Sequence, residues 1–173
     1  AGVAASPAPG KPTPGVLGTL RVPADSAGKP IDNAALAARP GKLPDGTAQS
    51  QYNFAFGLLR QNDYGAAEQA FGEFLNLHPT DALASNAQYW LGESYFARKE
   101  YDRAAAAFLA GYQKYPKGSK APDSLLKLAM SLSNLEQKQE ACAAFKQLDK
   151  DFPSAPPSVQ RLSVAERARA GCR

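Results

Sequence analysis

Three prolines, Pro79, Pro116 and Pro153, stand 37 residues apart, and each closes the same short pattern. Twelve residues before each is an alanine (Ala67, Ala104, Ala141), and four residues after each alanine is a phenylalanine (Phe71, Phe108, Phe145). Self-similarity at a fixed period marks a chain built from stacked copies of one unit. An Ala and a Phe four apart share a helix face, the alanine leaving room for a neighbouring helix to approach. Phe74, Gly111 and Leu148 continue that face. The proline then ends the helix, because it lacks an N–H and disfavours helical geometry in the residue before it. Upstream, the pairs Phe54/Leu58, Leu91/Tyr95 and Leu128/Leu132 supply the apolar face of a first helix in each unit. The two helices are separated by short, mostly polar turns at 61–63, 98–100 and 135–137, with Asp63 and Asp102 as expected N-caps.

This pattern predicts helices over 48–60, 64–77, 82–98, 102–114, 122–135 and 138–151. A seventh, about 157–170, follows Pro156-Pro157, since proline suits a helix start. The fold class is therefore all-α: three helical hairpins, about 48–79, 82–116 and 119–153, closed by a capping helix that covers the last hairpin. Residues 1–47 read differently. The first 48 residues hold no aromatic residue but 8 of the 14 prolines and 7 of the 14 glycines. So little large apolar surface cannot offset the entropy lost on ordering, which predicts a flexible linker. Its one apolar cluster, Val16–Val22, is read as part of that linker rather than as a docking strand. The chain begins at Ala1 rather than at Met, and we expect that processing or trimming has removed something upstream.

In the middle unit, Leu91-Gly92, Tyr95, Ala104, Phe108 and Pro116 resemble the tetratricopeptide signature closely. The outer units depart from it, with Ala55 and Ala129 at the glycine site and Leu58 and Leu132 at the tyrosine site; Gln88 stands where the signature has Trp. A 37-residue period exceeds the usual length of about 34. With the segments Asn86–Glu93 and Ala121–Leu128, it is similar to the C-terminal domain of the periplasmic Tol–Pal system protein YbgF, or cell division coordinator CpoB, family. That resemblance implies a right-handed superhelical array and a periplasmic adaptor without catalytic activity or cofactor. Its partners would be TolA and the cell-wall synthesis machinery, and it would couple outer-membrane constriction to peptidoglycan synthesis during division. Family members also carry an upstream coiled coil that oligomerises, a segment not found in this chain. Two other readings stand beside this one: a tetratricopeptide subunit of outer-membrane protein assembly, and a regulatory module of a larger enzyme.

The resemblance implies that the first helix of each hairpin lines a partner-binding groove. The positions carried over are Gln49, Tyr52, Phe56 and Arg60, then Asn86, Tyr89, Glu93 and Phe96, then Asp123, Leu126, Met130 and Asn134. Aromatics mixed with amides and a few charges suit a peptide or helix laid in a groove. Tyr52, Asn86 and Tyr89 are favoured as contact residues because they are expected off the Ala/Phe core face. Phe56, Phe96 and Leu126 could equally pack between helices.

Little else points to chemistry. The lone histidine, His78, sits beside Pro79 at a helix end, where it is expected to meet the last carbonyls; one His makes neither a metal site nor a triad. Gly57, Gly92 and Gly111 fall at expected packing positions inside helices rather than in a phosphate loop. A net charge of +4 is spread evenly, with no basic run interleaved with aromatics, so nucleic acid is not expected. No stretch approaches the roughly 18 apolar residues of a membrane span. Cys142 and Cys172 would nearly face each other if the seventh helix folds back, and a disulfide would then pin it; two separate thiols are the alternative.

Overall fold

The computed structural model describes residues 42–172. Most of the predicted linker, including Val16–Val22, lies outside the described residues. Within them are seven helices: α1 (Ala48–Arg60), α2 (Tyr64–Leu77), α3 (Ala84–Ala97), α4 (Tyr101–Lys114), α5 (Ala121–Asn134), α6 (Lys138–Asp151) and α7 (Pro157–Arg169). Each helix packs on the next, and α1, α3, α5 and α7 also touch one another in succession. Contacts between α2 and α4, or α4 and α6, are sparse by comparison. One layer is thus drawn together while the other splays, and the array is concave on the side of α1, α3, α5 and α7.

The Ala/Phe register forms the core. Ala67, Ala104, Ala141, Phe71, Phe108 and Phe145 are all completely buried, as are Phe74 and Tyr95. Each large side chain contributes roughly 1.5–3 kcal/mol of burial free energy. The small residue at Gly92 is required rather than tolerated: a Cβ there would lie 2.5 Å from the Phe108 ring. Gly57 differs from expectation, because a Cβ there would meet nothing within 4 Å; the first hairpin has no close approach at that point. Phe54, one period before the buried Leu91, is 41% exposed, since no hairpin precedes it among the described residues to pack on it.

The breaks between helices are equally regular. The residues before the three prolines, His78, Tyr115 and Phe152, take φ of −130, −125 and −129° with ψ near 55°, outside the helical region as proline demands. α3 starts at Ala84 rather than 82, because Asp81 first bonds back to His78 O and then caps Leu83 N through Oδ1 at 2.8 Å. Asp63 caps α2, accepting from Ala66 N at 3.1 Å. Asp102 does not cap α4; the helix begins one residue earlier and Asp102 lies in its first turn. Within each hairpin the turn carries one residue in the left-handed region, Asn62, Lys99 and Glu136, at φ of 60, 61 and 60°. In all three, its N–H and the next one bond back to the helix end, the double closure that usually relies on glycine.

One polar cluster crosses the first seam. Glu68 of α2 is almost fully buried, and it accepts from Arg98 Nη1 at 2.6 Å, Arg103 Nη2 at 2.7 Å and Tyr95 Oη at 3.1 Å. Glu100 bridges the same two arginines at 2.5 and 2.7 Å. Arg103 also lies 4.2 Å from the Tyr95 ring centre. One period on from Glu68, the fully buried Ala105 takes its place, so the second seam is apolar there.

Candidate functional site

The concave face is built from side chains of α1, α3 and α5 that still reach the core: Tyr52, expected off the core face, meets Phe71 and Phe74 edge-on at 6.0 and 5.9 Å, and Phe96 meets Phe108 at 6.5 Å. Rings dominate its first half. Tyr52 stacks on Phe56 at 6.2 Å, Phe56 meets Trp90 at 5.1 Å and Trp90 meets Tyr89 at 5.0 Å. Trp90 Nε1 donates to Tyr52 Oη at 2.9 Å, so the indole and phenol are satisfied against each other across the seam. Burial raises the Tyr52 pKa, while hydrogen bonds with Trp90 and Asn86 pull against that shift. Asn86 in turn accepts from Ser119 Oγ at 3.0 Å.

Cations dominate the second half. Lys120 Nζ lies 5.0 Å over the Tyr89 ring and 5.8 Å over Trp90, and 3.5 Å from Asp123. Lys127 Nζ donates to Glu93 Oε2 at 3.1 Å, lies 2.8 Å from Oε1, and sits 4.5 Å over Phe96. Cations over ring faces are attracted by the ring quadrupole, and each of these two is also paired with a carboxylate. Next to them is a hollow of about 110 Å³, lined by Tyr89, Asp123, Leu126 and Lys127, and closed by Ser158, Val159 and Leu162 of α7.

The structure sorts the residues expected in the groove. Tyr52, Phe56, Asn86, Glu93, Phe96, Asp123 and Met130 are half-buried and have surface to offer. Gln49, Arg60 and Asn134 are exposed at the rim, and Gln49 and Asn134 bond within their own helices, to Asn53 and Met130. Tyr89 does not lie off the core face as expected. It is only 7% exposed, wedged between Trp90, Phe108 and Lys120, and its pKa is raised chiefly by that burial. Leu126 is 3% exposed and likewise packs in the core cluster.

Six residues of this face were not anticipated: Trp90, Lys120, Lys127, Ser158, Val159 and Leu162. Trp90 was legible, since Asn86, Trp90 and Glu93 are spaced to share one helix stripe, and Lys127 is its equivalent one period later. Lys120 comes from a connector and Ser158, Val159 and Leu162 from the cap, where no repeat spacing applies.

His78 takes a different partner from the expected carbonyls. Its ring packs on Phe74 at 4.9 Å, and Nε2 lies 2.7 Å from Gln51 Oε1, tying α2 to α1. Among the described residues there is no group of three His, Cys, Asp or Glu placed to hold a metal ion. Nor is any helix there long and apolar enough to cross a membrane. At the far end, Cys142 and Cys172 are joined by a disulfide with Cα atoms 5.5 Å apart. Gly171, at φ +65°, makes this possible: Gly171 N bonds Ala168 O and Cys172 N bonds Arg167 O, turning the chain back towards α6.

Two tetratricopeptide-repeat models match, one over residues 52–119 and one over 123–155, and together they span more than half of the chain. Two Pseudomonas putida proteins, each named Cell division coordinator CpoB, are 49% identical to it over 47 residues, which is 27% of this chain. The matched stretch is 18% of those relatives, so the chain spans about a fifth of their length. Repeat models over all three hairpins, the 37-residue register and this local identity agree: the chain belongs to the tetratricopeptide-repeat family, with a repeat domain of the CpoB/YbgF type.

Proposed function

We propose that this chain is a non-catalytic adaptor of cell division, and that residues 48–173 are its working domain, led in by the linker 1–47. Its concave face holds a segment of a protein partner. The observation that carries this is the half-buried stripe Tyr52, Phe56, Trp90, Glu93 and Phe96 with Lys127, a face rich in rings yet still open. Aromatic residues of this kind give large contact area at small conformational cost, as partner-binding surfaces require. The similarity to proteins named as cell division coordinators supplies the setting. It favours division over outer-membrane protein assembly or regulation of a linked enzyme.

On this reading the protein works in the periplasm, in the Tol–Pal system, where TolA is one partner and the cell-wall synthesis machinery another. Trp90 is the single tryptophan and lies in the groove, so its fluorescence reports occupancy directly. Titration with the periplasmic region of TolA should change that signal saturably. Phe56→Ala and Phe96→Ala should each weaken binding by about 1–2 kcal/mol, as truncation of an interface aromatic does. If TolA leaves the fluorescence unchanged and fails to co-purify, the partner is wrong. If it binds and both variants bind equally well, the groove is wrong.

A further inference from the structure

The cap contributes a wall to the groove but is thinly held. Of the thirteen residues of α7, only Val159 and Ser163 are buried, while Leu162 and Val164 are 38% and 69% exposed. Its contacts with α5 and α6 are few compared with those inside any hairpin. The polar ties at its C-terminal half come from Arg167, which donates to Phe145 O at 3.0 Å and Asp149 Oδ2 at 2.7 Å, and Ala170 and Cys172 pack partly buried against the core. Beyond these, the end of the helix is held by the disulfide, which closes a loop across a sequence separation of 30. Neither cysteine is fully buried. Ser158, Val159 and Leu162 of this same helix close the hollow opposite Tyr89, Asp123 and Leu126.

We propose that the oxidation state of Cys142 and Cys172 gates the concave face by holding or releasing α7. This rests on the groove being the binding surface. A dithiol reductant supplies the step: one of its thiolates attacks a protein sulfur, breaking the S–S bond and forming a mixed disulfide. Its second thiol then displaces the protein sulfur. Two electrons and two protons end on Cys142 and Cys172, and the reductant leaves as its disulfide. With the bond broken, the loop-closure advantage is lost, which for a loop of this size is on the order of several hundredfold in the opening equilibrium of α7. The hollow then loses the wall formed by Ser158, Val159 and Leu162, and α1 to α4 are untouched.

The test is hydrogen exchange on the full chain, oxidised and after reduction with a phosphine, with no partner present. Protection in residues 157–169 should fall by at least about tenfold on reduction, with α1 to α4 unchanged. The double variant Cys142→Ser/Cys172→Ser should show the released pattern without reductant. A change below about twofold in α7 in both experiments overturns the release. Binding of the TolA periplasmic region is then compared between the two forms. Reduction should weaken it by at least about fivefold, the loss of one interface side chain. Measurable but equal affinity overturns the gate. Binding by neither form counts against TolA as the partner, and the exchange result still decides whether α7 is released.

Discussion

Replacing Glu68 tests what couples the first two hairpins. Its carboxylate takes three donors, the fully buried Tyr95 hydroxyl and two guanidinium groups. Breaking a buried ion pair costs about 3–5 kcal/mol when a stranded charge remains. Here the stranded charges have an outlet, because the Arg98 and Arg103 side chains are 34% and 23% exposed and both keep Glu100. What cannot escape is the buried Tyr95 hydroxyl, whose O–H loses its acceptor although its oxygen still accepts from Arg103 Nη2 at 3.2 Å, a loss worth about 1–3 kcal/mol, together with the space left by the side chain. We therefore expect Glu68→Ala to cost about 3 kcal/mol. Glu68→Gln, which keeps the shape and one acceptor, should cost about 2 kcal/mol. Arg98→Ala, removing a partly solvated partner, should cost about 1 kcal/mol. Urea unfolding followed by far-UV circular dichroism and by Trp90 fluorescence measures all three. Trp90 of the second hairpin bonds to Tyr52 of the first, so its signal belongs to the damaged seam. If stability is a sum of repeat and seam terms, the fluorescence transition in Glu68→Ala should precede the dichroism transition. A Glu68→Ala variant within about 0.5 kcal/mol of the parent, with coincident transitions, would refute the argument.

Two glycines on equivalent helices should respond oppositely to alanine. Gly92→Ala forces the buried Phe108 ring to move and should cost about 1–3 kcal/mol in thermal unfolding, whereas Gly57→Ala, in open space within α1, should gain about 0.5–1 kcal/mol. Lys99→Gly relieves a left-handed lysine and should stabilise by about 1 kcal/mol, provided the turn keeps its two backbone bonds; an unchanged midpoint would deny the strain. Tyr89, Tyr95 and Tyr112 have raised pKa values, each chiefly from burial, with Tyr112, which also hydrogen bonds to Asp151, pushed up to about 12. The folded state holds these protons longer than the unfolded chain, whose tyrosines ionise near 10. Their contribution is complete below pH about 10 and falls above it, that of Tyr112 being spent near 12 and those of Tyr89 and Tyr95 only beyond, so urea midpoints should fall from pH about 10 upward.

The backbone of this molecule was largely legible because its signal is repeated. Pro79, Pro116 and Pro153 mark the same break three times, and Ala67/Phe71 and its copies mark the same face, so error in one unit is corrected by the others. Asn62, Lys99 and Glu136 were not legible as left-handed residues, since hydrogen bonding rather than glycine sets that turn. The groove was read from the first helix of each hairpin, and that reading could not include a wall from α7 or a cation from a connector. Tyr89 shows the limit of reading one helix at a time. Its spacing points away from the core, yet Trp90, Phe108 and Lys120 enclose it, and Lys120 comes from a connector that no helix spacing includes. Glu68 was missed for the same reason, because Arg98 and Arg103 lie 30 and 35 residues away.

The difference between the two seams bears on how a chain of near-copies assembles in the right order. Hairpins this alike could dock out of turn, the third against the first, with most apolar contacts kept. Such an arrangement would set Glu68 against Leu132, Leu135, Gln137 and Glu140, the counterparts of Tyr95, Arg98, Glu100 and Arg103. A buried carboxylate would face aliphatic surface and a second carboxylate with no cation in reach, at a cost of several kcal/mol. Glu68 thus acts as an address, readable only by the hairpin that follows it in the chain.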